Sequence, residues 1–148
     1  MGEKTSTLSP WYRINNPDEV NSPALLVYPD RIENNIRKMI EIAGDPAILR
    51  PHVKTHKMPE IVRLQMKYGI NKFKCATIAE AEMTAGCGAK DILLAYQPVG
   101  PNIRRFFELK KKFPGSKISC IDDCEDVIRQ LSINSVRNST ETSVWLDI

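Results

Sequence analysis

The sequence predicts an α/β fold that forms the N-terminal part of a (β/α)8 TIM-type barrel. Short apolar strand patterns alternate with helix-sized segments from about residue 22 onward, an order typical of parallel βαβ units. A doubly wound sheet shows the same alternation, but the sequence contains neither GxGxxG nor GxxxxGK[ST], and the absence of these phosphate-binding motifs favours the barrel. A complete barrel takes about 250 residues. Because this chain has 148 and ends on the strand pattern VWLDI, we expect it to be the N-terminal portion of something longer.

Two regions are predicted, an irregular lead-in over residues 1–20 and a partial barrel over residues 21–148. Trp11 and Tyr12 are expected to anchor the lead-in. The barrel begins with a strand over residues 22–28, SPALLVY, followed by a helix that opens at Pro29 and ends at Gly44. In that helix, apolar residues repeat at spacings of three and four, as they do on the buried face of an amphipathic helix.

The same strand and helix pair recurs along the chain, to give six strands and five helices. Later strands are predicted from short apolar runs, and later helices from the same spacing of three and four. The strands cover residues 47–53, 72–76, 91–95, 117–121 and 143–148, and the helices cover residues 59–68, 78–85, 102–112 and 123–131.

Composition excludes several classes of partner. The chain carries 21 Lys and Arg against 18 Asp and Glu, and apart from residues 110–112 these bases are scattered without interleaved aromatic residues. We therefore expect no nucleic-acid partner. No stretch approaches the roughly 20 apolar residues that cross a bilayer, and the N-terminus lacks the apolar core of a signal peptide. The sequence predicts a cytoplasmic protein with no membrane partner.

The four cysteines lack tight CxxC spacing, and most lie in or beside apolar elements, so we expect buried free thiols rather than a disulfide framework. These residues are Cys75, Cys87, Cys120 and Cys124. A zinc set that combines Cys120 and Cys124 with His52 and His56 is disfavoured, because its ligands would come from separate elements.

Lys54 is the candidate catalytic residue, within the basic segment RPHVKTHK of residues 50–57. If residues 47–53 are a barrel strand, Lys54 lies at its carboxyl end, on the face where such barrels perform chemistry. The neighbours Arg50, His52, His56 and Lys57 could supply positive charge that lowers the pKa of a lysine amine. A lysine so placed suits pyridoxal phosphate, whose aldehyde forms a Schiff base with an amine. The alternative is a surface lysine beside two hydrogen-bonded loop histidines.

The stretch LRPHVKTHK closely resembles the cofactor-lysine motif of the D-threonine aldolase and D-serine dehydratase family. These are fold-type III pyridoxal phosphate enzymes with an N-terminal barrel of the alanine racemase type. SPALLVY with DRIENNIRKM, KCATIAEAEMTAGCGAKDILLAY, and SVWLDI also resemble segments of that family. The resemblance covers most of residues 20–148.

The resemblance implies that Lys54 is the Schiff-base lysine and a candidate for moving the α-proton. It also implies that His52 and Thr55 line the cofactor pocket, while His56 and Lys57 match the motif without an assigned role. Strand ends place Thr77 and Tyr96, the latter beside Ala95, near the same pocket. Thr77 has a second interpretation, as the N-cap of the helix that starts at residue 78, with Glu80 as its capping-box partner.

The function implied is a pyridoxal phosphate-dependent lyase that splits β-hydroxy D-amino acids into glycine and an aldehyde. A D-serine dehydratase of the same family is the alternative, and a non-catalytic pyridoxal phosphate-binding protein or an inactive barrel fragment is another. The resemblance also implies a homodimer at full length and a divalent metal whose ligands lie outside this chain. The acidic pair Glu80 and Glu82 is assigned to a solvated helix with one capping Glu, because a spacing of two puts the carboxylates on different faces. Asp122 and Asp123 are assigned to a strand-to-helix turn with an N-cap, and neither pair is given a catalytic role.

Overall fold

The computed structural model describes residues 11–146, which form a four-stranded parallel sheet with helices between the strands. The helices are α1 (Pro29–Ala43), α2 (Pro59–Lys67), α3 (Ile78–Gly86), α4 (Pro101–Lys112) and α5 (Glu125–Arg137). The strands are β1 (Lys72–Cys75), β2 (Asp91–Leu94), β3 (Lys117–Ile121) and β4 (Val144–Trp145), and they adjoin one another in chain order. This arrangement confirms the predicted α/β fold and the parallel pairing.

Helix α1 shows why the sequence signals were reliable here. Pro29 occupies the first helical turn, where its missing N–H costs nothing, and the helix ends at Gly44 in the left-handed conformation with φ 78°. Ile36 is buried and Ile32, Met39 and Ile40 pack beside it, as the spacing of three and four predicts. In contrast, α5 begins two residues later than predicted and continues to Arg137. The prediction ended this helix too early because the apolar residues of its last two turns are exposed and do not continue the buried spacing of three and four.

Alternation along the strands divides the sheet into two faces. One face packs against the helices. It buries Phe73 and Cys75 of β1 and the residues paired with them in register, which are Ile92 and Leu94 of β2 and Ile118 and Cys120 of β3. The residues between them lie on the opposite face, which we call the lumen face. Its residues are Lys72, Lys74, Asp91, Leu93, Lys117, Ser119, Ile121 and Trp145, with Leu93 paired in register with both Lys74 and Ser119.

Two of the predicted strands are wrong in this structure. Residues 22–28 form no strand within the described part of the chain, and Leu25 is 68% exposed. Residues 47–53 contain a 3₁₀ turn at Pro46–Ile48 and then a single parallel bridge between His52 and Lys74. Proline explains the shortened pairing, because Pro51 has no N–H to donate to a neighbouring strand. Its carbonyl still accepts the Lys74 N–H at 2.9 Å. The last strand is also shorter than predicted, and residues 147–148 lie outside the described residues.

The lead-in contacts the start of α1 through aromatic side chains. The guanidinium of Arg31 lies 3.5 Å from the centre of the Trp11 ring, and the Tyr28 hydroxyl donates to the Tyr12 carbonyl at 2.8 Å. Residues 1–10 lie outside the described part, and the predicted boundary at residue 20 stays a prediction. Within residues 11–146, no helix has both the length and the apolar character needed to cross a bilayer.

Candidate functional site

Lys54 follows the segment that bridges to β1, at the carboxyl end of the sheet. Val53 is fully buried against the helices, so alternation places His52 on the lumen face, and the bridge sets His52 beside Lys74. Lys54 is exposed, and its side chain makes no hydrogen bond or ion pair with any residue between 11 and 146. The amine is therefore unoccupied by protein groups in the part of the chain that the structure describes.

Residues 53–57, which we call the lysine turn, form a tight turn around Lys54. The Lys57 N–H donates to the Val53 carbonyl at 2.8 Å, and Lys57 adopts the left-handed conformation with φ 51°. This conformation is unfavourable for a residue with a side chain, so the surroundings must hold it in place. The Lys57 ammonium donates to the carboxylate of Glu80, at the start of α3.

Glu80 is the buried partner of the lysine turn. Its side chain is 4% exposed, and its second oxygen accepts the Ala76 N–H at 2.7 Å. Burial alone would raise the pKa of Glu80, but the hydrogen bonds from Lys57 and Ala76, together with the Lys57 charge, outweigh burial and lower it. The predicted helix is confirmed and Glu82 is exposed, but Glu80 is not solvated, because its buried carboxylate fastens two loops together.

Thr77 takes the capping role that the sequence offered as an alternative. Its hydroxyl oxygen accepts the Glu80 N–H at 3.1 Å, which satisfies one of the free N–H groups in the first turn of α3. The Glu80 side chain returns to the Ala76 N–H rather than to the Thr77 N–H of a standard capping box. The cofactor-pocket role of Thr77 remains a prediction.

Both histidines of the motif are neutral side chains with defined tautomers. His52 Nδ1 accepts the Lys54 N–H at 3.2 Å, and His56 Nδ1 accepts the Met58 N–H at 3.0 Å, so each ring carries its hydrogen on Nε2. Burial lowers the pKa of His52, and the charges of Lys54 and Lys74 lower it further; burial likewise lowers the pKa of His56. The Nε2–H of His56 is buried and has no partner among the described residues.

This geometry corrects the predicted charge around Lys54. The two histidines carry no charge at neutral pH, and Lys57 is paired with Glu80. Arg50 is also paired, through two hydrogen bonds of 2.8 and 3.1 Å to Asp91 on the lumen face. The sequence analysis missed Lys74, which the bridge places beside His52. Period-two alternation along β1 was the available signal, since it separates Lys74 from the buried Phe73 and Cys75.

The other predicted site residues lie at the same end of the sheet, and none of them hydrogen-bonds to the Lys54 side chain within the described residues. Thr55 and His56 border an open cavity of about 380 Å³ that Met58 and residues of α1 also line. Tyr96 follows β2 and is 46% exposed. Within residues 11–146, no hydrogen bond joins the Lys54 side chain to Thr55, Thr77 or Tyr96. Parallel strand ends bring these residues to one edge, and their roles remain predictions.

Asp122 lies in the strand-to-helix turn that the sequence predicts before α5, and its carboxylate is buried. It is 2% exposed, and one oxygen accepts hydrogen bonds from the Gln97 amide at 2.6 Å and the Cys124 N–H at 2.9 Å. The N-cap position of α5 belongs to Cys124, so the prediction of an aspartate N-cap is wrong. Asp122 instead closes the turn before α5 and ties it to the loop after β2.

A second polar cluster lies on the lumen face behind the site. The Trp145 indole N–H donates to the Ser119 hydroxyl at 3.2 Å, and the Arg50 guanidinium lies 6.0 Å from the centre of the Trp145 ring. Arg50 precedes β1 whereas Trp145 lies in β4, so these two long side chains approach each other across the sheet.

Within the described residues, no three His, Cys, Asp or Glu side chains are grouped so as to hold a metal ion. Cys75 and Cys120 are buried free thiols, as predicted, and Cys87 is partly buried. Burial raises the pKa of Cys75 to about 11 and that of Cys120 to about 12, which makes both thiols unreactive near neutral pH.

Residues 27–148 match the family of the alanine racemase N-terminal domain. The chain belongs to this family. It is 32% identical over 134 residues to the 3-hydroxy-D-aspartate aldolase of Paracoccus denitrificans, an alignment that covers 88% of this chain and 34% of the relative. It is 37% identical over 95 residues to the D-serine dehydratase of Dictyostelium discoideum, covering 60% of this chain and 24% of that protein.

The fold is also shared with solved structures. The crystal structure of D-threonine aldolase from Filomicrobium marinum superposes with a TM-score of 0.76 at 28% identity, over 87% of this chain and 35% of that one. The predicted resemblance to D-threonine aldolase and D-serine dehydratase is thereby confirmed, as is the partial barrel. The chain spans about a third of the length of the aldolases it matches, and these relatives are lyases by name.

Proposed function

We propose that this chain is the cofactor-lysine portion of a pyridoxal phosphate-dependent lyase that acts on β-hydroxy D-amino acids, with Lys54 as the residue that binds the cofactor covalently. The observation that carries the proposal is the position of Lys54 at the carboxyl end of the sheet, with an amine that no residue between 11 and 146 engages. The names of the relatives, two aldolases and a dehydratase of hydroxy amino acids, support the reaction class.

The donors around Lys54 suit a phosphorylated aldehyde. Lys74 adds a second amine beside His52, and the His52 ring carries a hydrogen on Nε2 that it can donate. Donors without acceptors favour an anionic ligand that carries several oxygens. The residues present therefore fit pyridoxal phosphate at the aldehyde end, whereas no metal-ligand cluster occurs within the described residues.

When bound, pyridoxal phosphate withdraws electrons from the α-carbon of an attached amino acid, so that a bond to that carbon can break. Lys54 would hold the cofactor through its Nζ, and the same nitrogen, when not bound to the cofactor, could carry a proton. Aldol cleavage breaks the Cα–Cβ bond, removes the β-hydroxyl proton to form an aldehyde, and adds a proton to Cα to form glycine. We assign delivery of the Cα proton to Lys54 Nζ. His52 is assigned to hydrogen bonding through Nε2–H, since its Nδ1 is occupied by the Lys54 N–H.

The experiment combines cofactor spectroscopy with product analysis. Purified protein incubated with pyridoxal phosphate should develop a visible absorption band, and Lys54→Ala should abolish it. Lys38→Ala, which removes an exposed lysine of α1, is the matched control and should leave the band intact. Incubation with D-threonine should then release glycine and acetaldehyde. A wild-type protein without the band would refute the proposal.

Dehydration is the second candidate, because a relative at 37% identity is a D-serine dehydratase. In this reaction the β-hydroxyl leaves as water, and the product after hydrolysis is a 2-oxo acid with ammonia. Release of pyruvate and ammonia from D-serine, without glycine from D-threonine, would assign the dehydratase activity. A visible band without turnover of either substrate would instead indicate a pyridoxal phosphate-binding protein without lyase activity.

A further inference from the structure

The cofactor site contains three lysine amines, and the structure suggests how one of them is selected. Lys54 and Lys57 belong to the same lysine turn, and the bridge between His52 and Lys74 sets the third lysine beside that turn. An aldehyde reacts with an amine only through the nitrogen lone pair, which an ammonium group lacks. The protein must therefore distinguish lysines that lie only three residues apart in RPHVKTHK.

Lys57 differs from Lys54 in its contacts. The Lys57 ammonium donates to Glu80, whose carboxylate is buried and held at its other oxygen by the Ala76 N–H at 2.7 Å. The backbone of Lys57 is left-handed and closes the lysine turn onto the Val53 carbonyl at 2.8 Å. One ion pair thus fixes both the Lys57 amine and the turn that carries Lys54.

We propose that the Lys57–Glu80 ion pair is a positioning device that selects Lys54 for covalent attachment. Rotation of the turn about this anchor is blocked, so the Lys54 side chain stays on the lumen side. Meanwhile the Lys57 nitrogen is held against the Glu80 carboxylate, so it is not free to meet the aldehyde, whereas the Lys54 nitrogen has no partner between residues 11 and 146. Attachment then joins Lys54 Nζ to the aldehyde carbon as C=N, and the aldehyde oxygen leaves as water with two protons from the amine. This inference rests on the proposed function.

The test maps where the cofactor attaches. Protein is incubated with pyridoxal phosphate, reduced with borohydride, digested, and examined by mass spectrometry for the label on each lysine. Wild-type protein should carry the label on Lys54. In Glu80→Gln the label on Lys57 should rise about tenfold relative to wild type, the factor expected when one charge-assisted hydrogen bond is lost.

Glu82→Gln is the matched control for the substitution at Glu80. Glu82 lies two residues further along α3, and its carboxylate pairs with Lys112 at the exposed surface. Neutralising it removes one charge from the same helix and should leave the labelling pattern unchanged. Any effect of net charge or of helix stability alone would appear equally in both variants.

Substitution of Lys57 provides a second measurement that is independent of the labelling of Lys57. Lys57→Met removes the anchor of the lysine turn. The concentration of pyridoxal phosphate that half-saturates the labelling of Lys54 should therefore rise about tenfold. Lys57→Arg restores a cation that can pair with Glu80 and should recover most of this affinity. Far-UV circular dichroism checks that each variant is folded.

The outcomes separate the inference from the proposed function. A wild-type protein with no label on any lysine would overturn the proposed function, and this inference with it. A wild-type label confined to Lys54, with the same pattern in Glu80→Gln and unchanged affinity in Lys57→Met, would overturn the inference and leave the function standing. Migration of label to Lys57 in Glu80→Gln but not in Glu82→Gln supports the selection of Lys54 by the ion pair.

Discussion

Replacing Glu80 by Gln should destabilise the fold by about 2 kcal/mol near neutral pH. Gln keeps an oxygen that can accept the Ala76 N–H, so this contact falls from a charged to a neutral hydrogen bond, a loss of about 1 kcal/mol. The Lys57 contact is lost, but the Lys57 side chain is 60% exposed, so we assign it about 1 kcal/mol, the upper end for solvated pairs. Glu82→Gln, whose pair with Lys112 is exposed on both sides, should cost about 0.5 kcal/mol or less.

The cost of Glu80→Gln should depend on pH in a defined direction. The pKa of Glu80 in the folded protein lies below its ordinary value of 4.5, so folding favours the ionised carboxylate. This stabilisation is fully present above pH 4.5 and is lost as pH falls through the lower folded pKa. In strongly acidic solution Glu80 of the wild type is itself protonated. The difference in unfolding free energy between wild type and Glu80→Gln should then shrink to what a neutral hydrogen bond contributes.

Urea denaturation at about pH 7 and about pH 3.5, on either side of the ordinary carboxyl pKa, measures this difference directly. Wild type, Glu80→Gln and Glu82→Gln are compared under both conditions. If Glu80→Gln costs no more than Glu82→Gln at neutral pH, the buried ion pair does not stabilise the fold. If its cost is large but equal at both pH values, the loss comes from packing rather than from charge, and the electrostatic reasoning fails.

Three further predictions follow from local geometry. Thr77→Ala should cost about 1 kcal/mol in unfolding free energy and Thr77→Ser only a few tenths, because Ser keeps the N-cap oxygen that accepts the Glu80 N–H; equal costs would contradict the capping role. Gly69→Ala should cost more than about 1 kcal/mol, since Gly69 has φ +89° and an added Cβ would lie 3.2 Å from a Pro46 side-chain carbon. Lys74→Gln should raise the pKa of His52 in an NMR titration because it removes a charge that lowers this pKa, and an unchanged pKa would show that the lysine is not adjacent.

Elements with strong local signals were predictable from the sequence. Helix α1 starts at a proline and ends at a left-handed glycine, and β1 to β3 begin at the residues that their apolar runs predict. Each of these signals acts within a few residues, so no knowledge of the remaining chain is required. Residues 22–28 have an equally apolar sequence, but a strand needs a paired neighbour, and the adjacent segment offers only the bridge at His52.

The candidate site was predictable in its position and not in its electrostatics. Barrel topology places Lys54 at the carboxyl end of a strand once the alternation is recognised. The partners of the basic residues cannot be read from RPHVKTHK, because Glu80 is 23 positions from Lys57, and Asp91 is 41 positions from Arg50. Helical spacing of Glu80 and Glu82 gave the correct conclusion that the two carboxylates diverge. It gave no indication that one of them is buried beneath the lysine turn.

The basic appearance of RPHVKTHK therefore overstates the free positive charge around Lys54. Arg50 is bound to Asp91, Lys57 is bound to Glu80, and the two histidines are neutral with their Nδ1 atoms held by backbone N–H groups. The two ion pairs also tie the segment to β2 and to α3, and the two histidine contacts hold its own backbone, so the contacts that neutralise the segment also restrain it. Rigidity matters more than charge for an amine that must meet an aldehyde carbon at bonding distance, because misplacement costs rate steeply. The segment is thus arranged so that its other basic side chains are occupied or neutral, and within residues 50–57 the Lys54 amine remains available for chemistry.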